Sequence, residues 1–311
     1  MTSTQTASRH SPCPWQGVFP AMTTQFDASG AIDAAANTRQ IQHQIDCGAQ
    51  GIILCGSLGE NSTLEFDEKL QLLDIGLAAA AGRVPVLLTV AEGSTAQACR
   101  LAKLAQEHGA QGLMVLPGMR YVSDRAETLA HYRAVSAASD LPIMIYINPL
   151  AYTVDITPDM LIELADDAHF VAIKESTGDV RRVTQVINAC GERYGIFCGV
   201  DDLALEALHM GATGWVAGLV TAFPRETVAV YRLWQAGRFE EARDIYRWFQ
   251  PLLRLDVSTK LVQNIKRAEV LEGLGNGVVR APRLQLAGDE KAQVEKIIRD
   301  AQACRPTLPA L

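Results

Sequence analysis

A four-residue segment with the pattern Gly-Ala-X-Gly occurs three times in this chain, each time between a helical pattern and a short apolar run. The copies occupy residues 48–51, 109–112 and 211–214. The first glycine suits the left-handed conformation at the end of a helix, and the second lets the chain enter a sheet closely. Three copies of one helix-to-strand joint indicate a repeated β/α unit.

Eight short β-branched or apolar runs have the length of strands. They span residues 17–23, 51–54, 85–89, 112–116, 142–146, 171–174, 195–198 and 214–216. Several are continuously apolar, as expected for parallel strands that are buried on both faces. Eight β/α units in about 200 residues predict a (β/α)8 TIM barrel, an α/β fold. A doubly wound open sheet is the alternative, but no GxGxxG follows the first strand.

After residue 216 the sequence is almost entirely helical, over residues 223–235, 239–254, 257–274 and 290–304. The first of these helices would complete the barrel, and the other three exceed what a barrel needs. No linker rich in proline or serine separates the two parts. We therefore expect a barrel over residues 16–236 and a C-terminal helical extension over residues 237–311 that packs on it. Residues 1–15 lack an apolar core and are expected to form a disordered tail.

The chain is acidic, with 28 Lys plus Arg against 35 Asp plus Glu and a formal net charge of −7. This balance argues against nucleic acid or an anionic membrane as the main partner. No apolar run approaches the ~20 residues of a membrane span, and no secretory signal is present, so a cytoplasmic location is expected. The cysteines form no CxxC, and the histidines form neither HxH nor HExxH. Neither a disulfide framework nor a metal site is therefore expected.

Function in a barrel of this kind lies where the strands end and in the loops that follow. Lys174 closes the apolar run FVAIK, so its ammonium would point into or just above the barrel. A lysine there is costly unless it is paired or neutral, and a neutral lysine attacks carbonyl groups to form Schiff bases. A salt bridge to Glu175 or to another acid at a strand end is the alternative.

Three further strand ends carry candidate residues. Tyr146 could relay a proton beside Lys174, or simply pack against a loop. The turn Gly56-Ser57-Leu58-Gly59 could hold a carboxylate with its N–H groups and the Ser57 hydroxyl, or be a tight turn without a ligand. Asp201 and Asp202 precede a helix and are expected to cap it rather than bind a metal.

Five segments, in order, make the chain resemble the dihydrodipicolinate synthase / N-acetylneuraminate lyase family of class I Schiff-base aldolases and lyases. They are GVFPAMTTQFDASGAID at residues 17–33, GSLGE at 56–60, YINP at 146–149, IKESTG at 173–178 and GVVRAP at 277–282. The matching features cover nearly the whole chain, so the resemblance extends to the C-terminal helices.

The resemblance implies a role for each matching residue. Lys174 would form an imine with the ketone of a 2-oxo acid, and Tyr146 would relay protons. Ser57 and the backbone of Leu58 would bind the carboxylate of the 2-oxo acid, and Gly199 would line the pocket floor. A homotetramer built as a dimer of dimers, with neither metal nor organic cofactor, is also implied.

Three positions depart from the pattern of the synthase itself. Leu58 replaces the second of two adjacent threonines, and Ala151 replaces an arginine that holds a second carboxylate. The tyrosine pair after strand four is reduced to Tyr121, which either replaces the family's interface tyrosine or leaves the relay without one. A buried dicarboxylate would lose a strong charge-assisted pair at Ala151, so the sequence argues against dihydrodipicolinate synthesis.

Our leading hypothesis is a lyase that acts on a 2-oxo acid through a Lys174 imine, as a dehydratase, a deaminase or an aldolase. The resemblance suggests a 2-keto-3-deoxy sugar acid or the cyclic imine from hydroxyproline breakdown as the substrate. One alternative is a synthase that condenses pyruvate with an aldehyde, for which Arg120 is the only nearby cation for a second carboxylate. The other is a non-catalytic barrel that binds a 2-oxo acid.

Overall fold

The computed structural model of the chain describes residues 13–118 and 121–310, and it contains eight parallel strands. The strands are β1 Gly17–Pro20, β2 Ile52–Leu54, β3 Val86–Val90, β4 Gly112–Val115, β5 Ile143–Ile147, β6 Phe170–Glu175, β7 Gly195–Cys198 and β8 Gly214–Ala217. They are ordered β1-β8-β7-β6-β5-β4-β3-β2, and a bridge between Ala21 and Ile53 brings β1 against β2. The sheet therefore closes into the predicted (β/α)8 TIM barrel, and the open doubly wound sheet is excluded.

Twelve helices occur in the described part of the chain. They are α1 Ala34–Asp46, α2 Phe66–Ala80, α3 Thr95–Glu107, α4 Arg125–Ser136, α5 Pro149–Tyr152, α6 Pro158–Leu164, α7 Arg181–Cys190, α8 Ala204–His209, α9 Pro224–Gln235, α10 Phe239–Leu253, α11 Leu261–Leu271 and α12 Gly288–Ala303. All four helices predicted after residue 216 are present. None of the described helices is long and apolar enough to cross a membrane.

The repeated Gly-Ala-X-Gly joint has the backbone that its sequence predicts. The first glycine of each copy has a positive φ, which is 100° at Gly48, 92° at Gly109 and 111° at Gly211. The second glycine lies against an aromatic ring, so a Cβ atom would come 2.0 Å from Phe19 at Gly51, 2.4 Å from Trp15 at Gly112 and 2.3 Å from Phe197 at Gly214. A larger residue at these strand starts would displace a ring of the barrel core.

Aromatic side chains fill the barrel beside the starts of the strands. The Phe19 ring lies 6.5 Å from Trp15 and 5.2 Å from Phe197, measured between ring centroids. Trp15 is 5% exposed, so the packed part of the chain includes this residue. The disordered tail expected over residues 1–15 therefore ends before Trp15. Residues 1–12 of that expected tail lie outside the described residues. Aromatic rings thus fill the end of the barrel at which the strands start. The accessible face is the opposite one, at which the strands end.

The C-terminal helices pack on the barrel. The Trp248 indole of α10 donates a hydrogen bond of 3.0 Å to the carbonyl of Ala301 in α12, and the Phe249 ring lies 5.8 Å from Phe223 before α9. From α11, Lys266 reaches the loop after β2, where its Nζ lies 2.6 Å from Glu60. These contacts agree with the expected extension, whose boundary at residue 236 stays a prediction.

Candidate active site

Lys174 lies near the end of β6 and pairs in register with Tyr146 on β5. Its side chain is buried, with 7% exposure, and it forms no salt bridge with any residue that the structure describes. The carboxylate of Glu175 instead accepts the N–H of Thr177 at 2.7 Å, so the salt-bridge alternative is wrong. Burial lowers the pKa of Lys174, against the charges of Tyr152 and of nearby acids, which raise it.

Tyr146 lies directly beside this amine. The Nζ atom of Lys174 is 4.2 Å from the centroid of the Tyr146 ring. The Tyr146 hydroxyl accepts a hydrogen bond of 3.1 Å from the Asn148 amide. Burial raises the pKa of Tyr146, so its hydroxyl keeps its proton near neutral pH and can act as an acid.

Gly199 follows β7 and packs behind the Lys174 side chain. A Cβ atom at this position would lie 2.6 Å from Lys174 Cε and 2.1 Å from Ser176 Oγ. The Ser176 hydroxyl is buried and has no hydrogen-bond partner among the described residues. Only glycine therefore leaves Lys174 in its place, which agrees with the expected position of Gly199 on the pocket floor.

The turn after β2 has a strained backbone at both ends. Cys55 and Glu60 have φ values of 57° and 59°, a conformation that costs a non-glycine residue about 1–3 kcal/mol. In the described structure the N–H groups of Ser57 and Leu58 donate to no backbone or side-chain acceptor. Two free N–H groups in a rigid turn beside a hydroxyl can hold a carboxylate.

A buried ion cluster holds this turn from the C-terminal side. Glu60 is fully buried and accepts hydrogen bonds from Lys266 Nζ at 2.6 Å and from the N–H of Arg280 at 3.0 Å. The Arg280 guanidinium binds Glu68 with two hydrogen bonds of 2.6 Å. The GVVRAP segment thus contributes to the active site indirectly, by fixing the Ser57 turn.

Tyr152 is the main residue that the sequence analysis did not identify. Its hydroxyl is hydrogen-bonded to the hydroxyl of Ser57, and its ring lies 5.6 Å from the Tyr146 ring in an edge-on arrangement. Burial raises the pKa of Tyr152 to about 12. The available signal was Asn148-Pro149, an N-cap followed by proline, which predicts a helical turn that carries Tyr152 back over Tyr146.

Two predicted residues are exposed, unlike the buried members of this cluster. Tyr121 is 64% exposed, and a hydrogen bond with Glu127 raises its pKa. Ala151 is exposed on α5, one residue before Tyr152. Leu58, by contrast, is buried beside Ser57, with 4% exposure. Arg120, the candidate cation for a second carboxylate, lies outside the described residues.

The adjacent acids after β7 do not cap a helix, so that prediction is wrong. They are the first two residues of a short 3-10 turn, Asp201–Leu203, and Leu203 is the residue that precedes α8. Asp201 is fully buried and accepts the indole N–H of Trp215 at 2.9 Å and the N–H of Leu219 at 2.8 Å, so it ties the end of β7 to the end of β8. No group of side chains suited to a metal ion occurs in the described ranges.

Asp256, between α10 and α11, is a second acid that the sequence analysis missed. It is half-buried, and its Oδ1 would lie 2.4 Å from a Cβ atom at Gly218, directly after β8. Burial and the charge of Asp201 raise the pKa of Asp256 well above its ordinary value. This carboxyl group lies at the end of the barrel that holds Lys174, and its charge raises the pKa of that lysine.

Comparison with known proteins gives matches over nearly the whole chain. A model described as the dihydrodipicolinate synthetase family matches residues 14–301. A 4-hydroxy-tetrahydrodipicolinate synthase of Synechococcus sp. (strain WH7803) is 32% identical over 302 residues, which cover 97% of this chain and 99% of that protein. Another, from Methanospirillum hungatei JF-1, is 31% identical over 271 residues, covering 86% and 93%.

A solved structure gives the same result. The 4-hydroxy-tetrahydrodipicolinate synthase from the thermoacidophilic methanotroph Methylacidiphilum fumariolicum SolV aligns with a TM-score of 0.87 at 30% sequence identity, covering 93% of this chain and 98% of that chain. The matches include the barrel and the helices that follow it.

Proposed function

Because this chain belongs to the dihydrodipicolinate synthetase family, whose members are lyases, we propose that it condenses pyruvate with an aldehyde through an imine on Lys174. The observation that carries the proposal is a buried lysine that forms no ion pair with any described residue and lies 4.2 Å from the ring of Tyr146. The sequence favoured breakdown of a 2-oxo acid over condensation. The matched relatives are named as synthases, which favours condensation.

The chemistry follows from the groups around Lys174. Its neutral amine attacks C2 of the 2-oxo acid, and Tyr146 protonates the carbinolamine oxygen, which leaves as water. The iminium draws electrons from C3, so the Tyr146 phenolate takes a proton from that carbon and an enamine forms. The enamine carbon attacks the carbonyl of the aldehyde to form the new C–C bond, and the resulting alkoxide takes that proton back from Tyr146. Water then adds to the iminium carbon and releases the product from Lys174 as a free amine.

The turn at Ser57 and Leu58 is the proposed site for the carboxylate of the 2-oxo acid. Its two free N–H groups and the Ser57 hydroxyl supply three donors. Two hydroxyls, on Thr89 and Ser176, are buried without a hydrogen-bond partner among the described residues. An unsatisfied buried hydroxyl costs about 1–3 kcal/mol, so a polar ligand in this pocket would recover part of that energy.

The aldehyde is proposed to lack a carboxylate of its own. Ala151 supplies no cation where the synthase pattern has an arginine. A neutral, hydroxylated aldehyde needs no such cation to balance its charge. This preference separates the chain from its named relatives.

A second candidate, dehydration of a 2-keto-3-deoxy sugar acid, is favoured by Asp256. A carboxyl group whose pKa is raised by burial holds its proton more tightly and can give it to a departing hydroxide, which leaves as water. The same Lys174 imine would acidify C3 before that step. Assays of product release with both substrate classes separate dehydration from condensation.

Borohydride trapping with pyruvate tests the proposed function. Peptide mass spectrometry of the wild type should find a reduced adduct on Lys174, and Lys174→Ala should give none. A panel of aldehydes with and without a carboxylate then identifies the second substrate. Absence of the adduct on Lys174 would reject imine chemistry and leave the non-catalytic binding barrel.

We also propose a homotetramer built as a dimer of dimers, as the family resemblance implies, and a cytoplasmic location. The seven cysteines are all free thiols, which suits a reducing compartment. Sedimentation equilibrium of the purified protein measures the number of subunits.

A further inference from the structure

We propose that Asp256 determines the specificity for the aldehyde by accepting a hydrogen bond from a hydroxyl group that this substrate carries. The residue lies in the loop between α10 and α11, so the C-terminal extension contributes directly to the active site. This role depends on the proposed condensation at Lys174 and extends it, because it assigns a binding residue to the aldehyde and not to pyruvate.

The loop brings the Asp256 carboxyl group to the end of the barrel at which Lys174 lies. All three atoms of that group lie within 3.1 Å of the position that a Cβ atom would take at Gly218, directly after β8. A side chain at position 218 would therefore push the carboxyl group away. Burial lowers the pKa of Lys174, and the charge of Asp256 opposes this shift. Burial raises the pKa of Tyr146, and the same charge adds to that shift.

Two hydrogen bonds hold the loop that carries Asp256. The side-chain amide of Asn264, in α11, donates 3.1 Å to the Leu255 carbonyl and 3.0 Å to the Ser258 hydroxyl. These acceptors lie on either side of Asp256, and both Asn264 and Leu255 are buried. A carboxyl group on a backbone that is fixed in this way loses little freedom when it binds a ligand, which favours a specific contact.

Asp201 is the second acid beside Gly218, and its hydrogen bonds are already supplied by the protein. It accepts the indole N–H of Trp215 and the N–H groups of Gly218 and Leu219. Asp256 is half-buried, and in the described structure its carboxyl group accepts no hydrogen bond and forms no ion pair. A half-buried carboxyl group without a donor gains from a ligand that supplies one.

The donor on the ligand is a hydroxyl group and not an ammonium group. Once pyruvate has formed the iminium, the nitrogen of Lys174 carries a positive charge, which repels a second cation in the same pocket. A hydroxyl group is neutral, and it suits both protonation states of Asp256. Burial and the charge of Asp201 raise the pKa of Asp256, and the carbonyl oxygen of a protonated carboxyl group still accepts a hydrogen bond.

The test compares glyceraldehyde with propanal, two aldehydes of the same chain length, as partners of pyruvate. The measured quantity is kcat/KM for glyceraldehyde divided by kcat/KM for propanal. Comparing this ratio between a variant and the wild type cancels the intrinsic reactivities of the two aldehydes. We expect Asp256→Ala, which removes the acceptor, to lower the ratio by about tenfold or more. Asp256→Asn keeps an uncharged acceptor of the same shape and should lower it by about threefold.

Two controls separate this role from a general effect on the enzyme. Asp244→Ala removes an acid of α10 whose side chain is 74% exposed, and the ratio should stay within about twofold of the wild type. Borohydride trapping of pyruvate on Lys174 needs no aldehyde. An adduct should form in both Asp256 variants, which shows that they fold and bind pyruvate.

Two results would overturn the role of Asp256 alone. One is a ratio in Asp256→Ala within about twofold of the wild type, beside a normal Lys174 adduct. If Asp256→Ala forms no adduct, the ratio in Asp256→Asn decides in the same way. The other is loss of the adduct in both variants, which would mean that Asp256 acts on Lys174 and not on the aldehyde. A wild type without a Lys174 adduct rejects the proposed function, and the role of Asp256 fails with it.

Discussion

The Nζ atom of Lys174 lies 4.2 Å from the centroid of the Tyr146 ring, across two strands that pair in register at these residues. The face of an aromatic ring attracts an ammonium, by about 2 kcal/mol when both are desolvated. That attraction is smaller than the cost of burying a charge without a salt bridge. Burial therefore dominates and lowers the pKa of Lys174. The lowered pKa makes the amine more nucleophilic, and the same burial of a lysine lowers the stability of the folded protein.

Replacing Lys174 by methionine should therefore stabilise the protein near pH 7. The unfolded lysine has an ordinary pKa near 10.4 and is protonated there, whereas the folded one binds its proton less tightly. The folded state pays about 1.4 kcal/mol for each unit by which the pKa is lowered. Wild-type stability should rise with pH as the unfolded lysine loses its proton, so the advantage of Lys174→Met should shrink towards pH 10.

Urea denaturation near pH 7 and near pH 9.5 measures this difference. Lys103→Met, at a lysine whose side chain is 70% exposed, should show no comparable effect. A wild type that is more stable than Lys174→Met near pH 7, or a difference that does not change with pH, would contradict the argument.

Ala151→Arg should increase kcat/KM for an aldehyde that carries a carboxylate, by about tenfold or more, because a charged hydrogen bond contributes about 1.5–3 kcal/mol. Borohydride trapping of pyruvate on Lys174 should not change, since pyruvate binds before the aldehyde. Leu150→Arg is the matched control, because it adds the same charge on α5 at a side chain that is 79% exposed. Equal gains in both variants would show a general charge effect instead of a carboxylate site.

Most of the fold could be predicted from the sequence because its signals are local. In each Gly-Ala-X-Gly joint the first glycine predicts a left-handed residue at the end of a helix. The second predicts a strand whose start packs closely against the barrel core, and eight apolar runs of strand length predict the barrel. The aromatic contact of Trp15 could not be predicted, because it joins the first described residues to the start of β4. Its burial depends on the closed barrel and not on neighbouring residues.

The active site could be predicted only where a residue ends a strand. Lys174, Tyr146 and Gly199 satisfy that rule, and the structure brings them together. Tyr152 and Asp256 lie on a helical turn and on a loop between helices, so their positions depend on how α5 and α10 pack. Sequence spacing alone does not show that Tyr152 turns back to Ser57.

Lys266→Ala should lower the free energy of unfolding by about 3–5 kcal/mol, since it removes one partner of a fully buried ion pair with Glu60. The lysine is 1% exposed and supports the turn that carries Ser57. The KM for pyruvate should rise, while Lys174 should still form an adduct at high pyruvate concentration. Lys296→Ala removes an exposed pair with Asp300 and should change stability by less than about 0.5 kcal/mol. A pyruvate KM that stays at the wild-type value would show that the Lys266–Glu60 ion pair does not influence pyruvate binding at the Ser57 turn.

Gly199→Ala should abolish imine formation with little loss of stability. The added methyl group would come 2.6 Å from Lys174 Cε and 2.1 Å from Ser176 Oγ, so the flexible lysine must move away from Tyr146. Gly118→Ala is the matched control, because no atom of the described residues lies within 4 Å of the Cβ position there. The measurements are borohydride trapping with pyruvate and the midpoint of thermal unfolding. A normal Lys174 adduct in Gly199→Ala would mean that the amine reaches pyruvate from more than one position, and the close packing behind it would then have no part in the chemistry.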